Sequence, residues 1–91
     1  MNRAITARVI GRVQGVYFRA ATQIEANKLG VTGWVKNTVE GDVCLEAEGS
    51  KDNLEEFILW LHKGPKLAKV ERLIVESSEA SDLFQGFDIR N

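Results

Sequence analysis

The sequence predicts an α+β fold with the element order β-α-β-β-α-β, followed by a short final strand. Segments of alternating or β-branched apolar residues are separated by two segments with helical spacing. Glycines stand at the joints between segments, and the single proline, Pro65, follows the second helical segment. Because 91 residues leave no room for a second core, we expect one domain over residues 1–91.

The first three elements follow from local patterns. Apolar residues alternate over residues 5–10, which predicts a strand that ends at Gly11. The stretch Phe18–Leu29 is predicted to be a helix, because Gly30 behind it is a good left-handed cap. Residues 31–37 are rich in β-branched side chains and predict the second strand.

The second half of the pattern is clearer. A hairpin turn at residues 40–42 leads into a third strand over residues 43–47. Apolar residues then recur at the i, i+3, i+4 and i+7 positions of a helix: Leu54, Phe57, Ile58 and Leu61. Ser50 or Asp52 can cap the start of this helix, and Gly64-Pro65 ends it.

Two strands complete the fold. Residues 70–75 predict the fourth strand, and Phe87–Arg90 predicts a short fifth strand at a sheet edge. The order of elements is that of the ferredoxin-like sandwich, a mainly antiparallel sheet with both helices on one face. The fold class alone implies no function, since many functions use it.

Composition excludes several classes of function. Twelve basic and thirteen acidic residues give a net charge of -1, so we expect neither a nucleic-acid partner nor a membrane surface. The single cysteine, Cys44, can form neither an internal disulfide nor a cysteine-based zinc site. No apolar run approaches the ~20 residues of a membrane span, and the polar start does not resemble a signal peptide. We therefore expect a soluble cytoplasmic protein.

The histidine, the two tryptophans and several glutamates could bind a metal or stack on a base, but their positions favour structural roles. His62 lies at the end of the second helix, where a cation favours the helix dipole. Trp34 and Trp60 are interpreted as packing residues. Four acidic residues of a type that binds metals are divided between strand and helix, so we expect no metal and no cofactor: Glu46, Glu48, Glu55 and Glu56.

The loop between the first strand and the first helix is the most informative segment. It reads Gly11-Arg12-Val13-Gln14-Gly15-Val16-Tyr17-Phe18-Arg19. Its two glycines permit tight bends that can turn main-chain N–H groups inward, and a helix begins directly behind them. The free N–H groups at a helix N-terminus bind anions.

Arg19 supports the same interpretation. A cation in the first turn opposes the helix dipole at a cost of ~0.3–1 kcal/mol, which an anion in the loop would offset. The arginine fork also matches two oxygens of a phosphate. The loop taken alone leaves open an ordinary turn with Arg19 in a surface ion pair, because its spacing matches neither the Rossmann fingerprint nor the P-loop.

Two motifs resemble the signature of the acylphosphatases. The first is Gly11-x-Val13-Gln14-Gly15-Val16-x-Phe18-Arg19, with seven fixed positions, and the second is Gly33-Trp34-Val35-x-Asn37, with four fixed positions and Lys36 at the variable one. The ending Trp60-Leu61-x-x-Gly64-Pro65 resembles the end of that family's second helix. The resemblance covers essentially the whole chain.

The resemblance implies hydrolysis of an acyl phosphate to a carboxylate and inorganic phosphate by a monomer without metal or cofactor. Arg19 and Asn37 would be catalytic, Arg19 by binding the phosphate and Asn37 by holding the attacking water. Inorganic phosphate or sulfate would bind the same loop, whose implied residues are Gln14, Gly15, Val16, Tyr17, Phe18 and Arg19. Tyr17 occupies a position where many members carry a small residue or cysteine, and it can narrow the pocket mouth or stack on an acyl group. Without the resemblance, Asn37 would be read as a polar residue at a strand end.

Two alternatives remain at this point. The chain can be a module that binds phosphate or carbamoyl phosphate without turnover, because similar domains occur inside larger maturation proteins. It can also be a ferredoxin-like RNA binder, but that function favours aromatic residues on the central strands and a basic face. The third strand instead carries Cys44-Leu45-Glu46-Ala47, so the RNA binder ranks last.

Overall fold

The computed structural model describes residues 2–91. Their helices and strands follow the predicted order: β1 Asn2–Arg12, α1 Phe18–Leu29, β2 Thr32–Asn37, β3 Val43–Ser50, α2 Lys51–Lys63, β4 Lys69–Glu79 and β5 Phe87–Arg90.

The five strands form one sheet in the order β4-β1-β3-β2-β5. Strand β1 pairs antiparallel with β3 and β4, and β2 pairs antiparallel with β3. The one parallel pair joins β2 to β5, with Gly33 beside Phe87 and Val35 beside Ile89. The predicted α+β, ferredoxin-like, mainly antiparallel sheet is confirmed, and β5 lies at its edge as expected.

Both helices pack on the same side of the sheet. Each central strand buries alternate residues toward them, as with Leu45 and Ala47 of β3, whereas Thr6 and Arg8 of β1 point to the exposed side. Helix α2 buries the predicted stripe, with Ile58 only partly covered: Leu54, Phe57 and Leu61 are 0–3% exposed. Burial of each such side chain stabilises the fold by about 1.5–3 kcal/mol.

Several strands run further than the sequence pattern predicted. Strand β1 begins at Asn2 and passes Gly11 through a register shift, so the prediction that it ends at Gly11 is wrong. Strand β3 continues to Ser50, and β4 covers Lys69–Glu79 instead of residues 70–75. Pairing of backbone groups sustains these extensions where the alternation of apolar side chains has stopped.

The ends of the helices match the predicted signals. Gly30 closes α1 in the left-handed conformation, with φ 67°, and its N–H contacts the carbonyl oxygens of Ala26 and Asn27. At the start of α2 the Ser50 hydroxyl accepts a hydrogen bond from the Asn53 N–H at 3.2 Å, so Ser50 is the cap and Asp52 lies in the first turn. Neither helix within residues 2–91 has the length and apolar character needed to cross a bilayer.

Candidate active site

The loop between β1 and α1 presents unpartnered backbone N–H groups. Gly15 and Tyr17 adopt left-handed conformations with φ 74° and 63°, and Tyr17 gives α1 no side-chain cap. Within residues 2–91, the main-chain N–H groups of residues 14–20 donate no hydrogen bond outside the helices and strands. Such a run of free donors at a helix N-terminus is suited to an anion.

Arg19 lies in the first turn of α1 and reaches the edge strand. Its Nη1 donates to the main-chain oxygen of Arg90 at 3.1 Å and to Asn91 Oδ1 at 3.4 Å. The ion pairs within residues 2–91 are formed by Arg8 and Lys28, so the surface ion pair considered for Arg19 is not present there. A guanidinium carries five N–H donors, and these contacts use only Nη1, which leaves the other donors for a ligand.

Asn37 is the last residue of β2 and faces the same space as Arg19. A cleft of about 380 Å³ brings together these two side chains and the loop: its walls are Val13, Gly15, Tyr17, Phe18, Arg19, Ala20, Asn37 and Ile89. No side-chain hydrogen bond among residues 2–91 involves the Asn37 carboxamide. A neutral group with one acceptor and two donor hydrogens is therefore available at the cleft.

Three of the predicted loop residues direct their side chains elsewhere. Val16 and Phe18 are buried in the core, and Phe18 packs on Trp60 with ring centroids 5.8 Å apart. The Gln14 carboxamide donates to the main-chain oxygens of Thr38 and Asp42, both at 2.8 Å. These three residues can offer a phosphate only their backbone N–H groups.

The turn after Asn37 supports the site through contacts that the sequence did not indicate. The Thr38 N–H donates to the Asp42 oxygen at 2.9 Å, and the Asp42 N–H donates to Thr38 Oγ1 at 3.1 Å. Together with the two bonds from Gln14, these contacts fix the end of β2 relative to the loop. The hairpin signal at residues 40–42 located this turn, but nothing in it indicated a partner 24 residues earlier.

The edge strand β5 also supports the site, through contacts that the sequence did not indicate. Besides accepting from Arg19 through Arg90, it accepts a 2.8 Å hydrogen bond at the Phe87 oxygen from Gln23 Nε2. Ile89 of the same strand lines the cleft. Its part in the site follows from its parallel pairing beside β2, which no local pattern encodes.

The residues set aside in the sequence lie away from this cleft. His62 is exposed in the last turn of α2, and Trp60 packs against the core. Trp34 instead lies on the helix-free face of the sheet, where it contacts the cations of Lys36 and Arg90 and donates to Glu46 Oε2 at 2.9 Å. The described residues contain no cluster of three His, Cys, Asp or Glu side chains arranged to hold a metal ion.

Among the described residues, Glu48 is the one buried carboxylate, and its pKa is shifted. Burial alone would raise the pKa of this carboxyl, but hydrogen bonds from the Ser81 N–H, the Ser81 hydroxyl and the Asp82 N–H outweigh it and lower the pKa below 4.5. The carboxylate thereby fastens the loop before β5 to the sheet.

Comparison with known proteins places the chain in a family. The family model described as acylphosphatase matches residues 5–89. The chain belongs to the acylphosphatase family. Its two signature motifs supply the cleft residues Gly15, Arg19 and Asn37, so the resemblance seen in the sequence is confirmed.

Relatives and solved structures agree with this assignment. The chain is 50% identical to an acylphosphatase of Salinibacter ruber over 98% of its own length and 94% of that protein's. It matches the crystal structure of acylphosphatase from Bacillus subtilis with a TM-score of 0.94 and 36% identity, covering 98% of this chain and 99% of that one. It also matches full-length HypF in the phosphate- and nucleotide-bound form, with a TM-score of 0.88 and 26% identity, over 100% of this chain and 12% of HypF. The prediction of an acylphosphatase enzyme is confirmed at the level of the family.

Proposed function

We propose that this protein hydrolyses acyl phosphates without a metal ion, holding the phosphate in the loop of residues 14–19 and orienting the attacking water with Asn37. Family membership supports acyl phosphate hydrolysis in general. The observation that carries the finer proposal is the shared cleft of Gly15, Arg19 and Asn37 beside unpartnered loop N–H groups.

Binding of the phosphate uses two kinds of donor. The N–H groups of the loop and of the first turn of α1 surround the anion from the backbone side, and Arg19 adds a positive charge with fixed donor geometry. Phosphoryl transfer depends mainly on positioning and on stabilising charge that develops on the phosphoryl oxygens. This donor set supplies both.

Asn37 would place the nucleophile. Its carboxamide can hold a water in line with the phosphorus while remaining uncharged, whereas a carboxylate there would repel the phosphate. The water oxygen bonds to phosphorus, the bond from phosphorus to the acyl oxygen breaks, and the carboxylate leaves with that electron pair. A phosphate oxygen accepts the proton of the water. Because a carboxylate is a weak base, its departure requires neither a general acid nor a metal.

The test is hydrolysis of acetyl phosphate in the presence of EDTA, followed by two substitutions. Arg19→Ala should raise KM and weaken inhibition by phosphate while lowering kcat, because it removes a donor that binds the ground state and, more strongly, the transition state. Asn37→Ala should lower kcat by about 100-fold or more and leave phosphate inhibition nearly unchanged. Full activity of the Asn37→Ala protein would remove Asn37 from the mechanism, and loss of parent activity in EDTA would refute metal independence.

A second candidate is a module that binds phosphate or carbamoyl phosphate without turnover. The likeness to HypF, in which a segment equal to 12% of that protein matches this chain, favours it. This candidate predicts binding of inorganic phosphate, which both functions share, and no release of phosphate from acetyl phosphate or benzoyl phosphate. The hydrolysis assay therefore separates the two.

We also propose that the protein acts as a monomer in the cytoplasm on small acyl phosphates, without nucleic-acid or membrane partners. The near-neutral charge and the free Cys44 support this setting. Sedimentation of the purified protein would test the oligomeric state.

A further inference from the structure

Two large apolar side chains stand exposed beside the proposed phosphate site. Tyr17 is 78% exposed and Ile89 is 40% exposed, and both line the cleft that contains Arg19 and Asn37. Of the other apolar walls, Val13 and Phe18 are 1% exposed and belong to the core, whereas Ala20 is exposed but contributes only a methyl group. The accessible apolar surface of the cleft is therefore contributed mainly by Tyr17 and Ile89.

The backbone places each of these two side chains next to a proposed anion-binding group. Tyr17 immediately precedes α1 in a left-handed conformation, so it stands next to the free N–H groups of the first turn. Ile89 pairs beside the buried Val35 on the helix side of the sheet, and it precedes Arg90, whose oxygen accepts the hydrogen bond from Arg19. A group attached to a phosphate in the loop would therefore lie within reach of this apolar surface.

We propose that Tyr17 and Ile89 form an acyl-binding surface that makes this protein prefer bulky apolar acyl phosphates, aromatic ones above all, over acetyl phosphate. The proposal rests on the proposed function, because it assigns the substrate class of that same site. An aromatic acyl group gains a contact with the Tyr17 ring that a methyl group cannot make, and a well-placed ring pair is worth roughly 2- to 12-fold. Ile89 adds apolar area that favours any larger hydrocarbon group.

The experiment compares kcat/KM for benzoyl phosphate with kcat/KM for acetyl phosphate. Since the two substrates share the phosphate, a disturbance of the loop affects both, and the ratio isolates the acyl contact. Tyr17→Ala should lower the ratio by about 5- to 10-fold, and Ile89→Thr, which keeps the β-branched shape, by about 2- to 4-fold. Tyr17→Phe keeps the ring and should keep the ratio, as should Leu59→Ala on the exposed side of α2. A ratio that stays within twofold of the parent in Tyr17→Ala would overturn the proposal.

A binding experiment separates failure of this surface from failure of the proposed function. Phenacylphosphonate and acetonylphosphonate replace the bridging oxygen by a methylene and are titrated calorimetrically into the parent and Tyr17→Ala proteins. We expect the parent to bind the phenacyl compound several-fold more tightly and the variant to lose that difference. If the parent shows this difference yet turns over neither acyl phosphate, the surface stands and the proposed hydrolysis fails. Equal affinities in the parent would refute the surface even if hydrolysis is observed.

Discussion

Gln14 provides the sharpest test of how the site is held together. Its Nε2 donates to the main-chain oxygens of Thr38 and Asp42, each at 2.8 Å, and so ties the loop to the turn that follows Asn37. We predict that Gln14→Leu and, more strongly, Gln14→Glu destabilise the protein and weaken phosphate binding. Gln14→Glu is nearly isosteric, so it replaces the two donor hydrogens by a carboxylate oxygen with little change of shape.

The magnitude follows from the two contacts. Each hydrogen bond contributes about 0.5–1.5 kcal/mol net, so Gln14→Leu should lower the free energy of unfolding by about 1–3 kcal/mol. For a domain of this size each kcal/mol corresponds to about 4–8 °C in Tm. At neutral pH Gln14→Glu also places a carboxylate against two carbonyl oxygens in a partly buried position, so its loss should exceed that of the leucine variant.

The assay is urea unfolding followed by tryptophan fluorescence, together with inhibition by inorganic phosphate. The control is Gln85→Glu, which makes the same change of charge at an exposed position and should stay within about 0.5 kcal/mol of the parent. If Gln14→Glu is as stable as Gln85→Glu, the reasoning that Gln14 fastens the loop to the turn is wrong.

The remaining predictions concern the frame of the fold. Because the pKa of the Glu48 carboxyl is lowered in the folded protein, its contribution to stability is complete above pH 4.5 and is lost as the pH falls through the folded pKa. Glu48→Gln should therefore lower Tm at pH 7 and approach the parent in acid, and a gap that stays constant with pH would contradict this. Gly33→Ala would drive its Cβ into the main-chain oxygen of Glu46 in β3 and should cost about 3 kcal/mol or more in urea unfolding, whereas Gly86→Ala, with open space around it, should cost little. Arg8→Ala breaks a half-exposed ion pair and should change the free energy of unfolding by less than about 1 kcal/mol, with the difference shrinking further in salt; a larger loss would refute a surface role.

The element types could be predicted because local patterns coincided with the tertiary structure. The stripe of α2 and the cap at Gly30 are properties of neighbouring residues, and the structure contains them where the sequence indicates. Strand lengths were not predictable in the same way. Strand β4 extends to Glu79 because β1 lies beside it and offers backbone partners, with Arg3 opposite Glu79, and such pairing leaves no trace in side-chain alternation.

For the site, motifs identified residues but not their contacts. The loop and its two glycines indicated an anion site, and the structure brings Gly15, Arg19 and Asn37 to one cleft. The sequence did not show that the Gln14 side chain turns away from that cleft to serve the neighbouring turn. A carboxamide can bind a ligand or a backbone carbonyl equally well, so only the position of the turn decides between them.

The placement of Arg19 and Asn37 relative to each other depends on one pair of strands. Asn37 ends β2, and Lys36 just before it pairs beside Arg90 of β5. Arg19 donates to the oxygen of that same Arg90. Asn37 is thus connected to the parallel β2–β5 ladder through the chain and Arg19 through a hydrogen bond, so the sheet helps to set the spacing between the proposed phosphate-binding and water-orienting groups. Such support by a regular element would keep the two proposed groups within the narrow tolerance that an in-line displacement requires. Strand β5 itself has only four residues and buries little beyond Phe87. Hydrogen bonds from Arg19 and Gln23 of α1 therefore help to hold this edge strand in place.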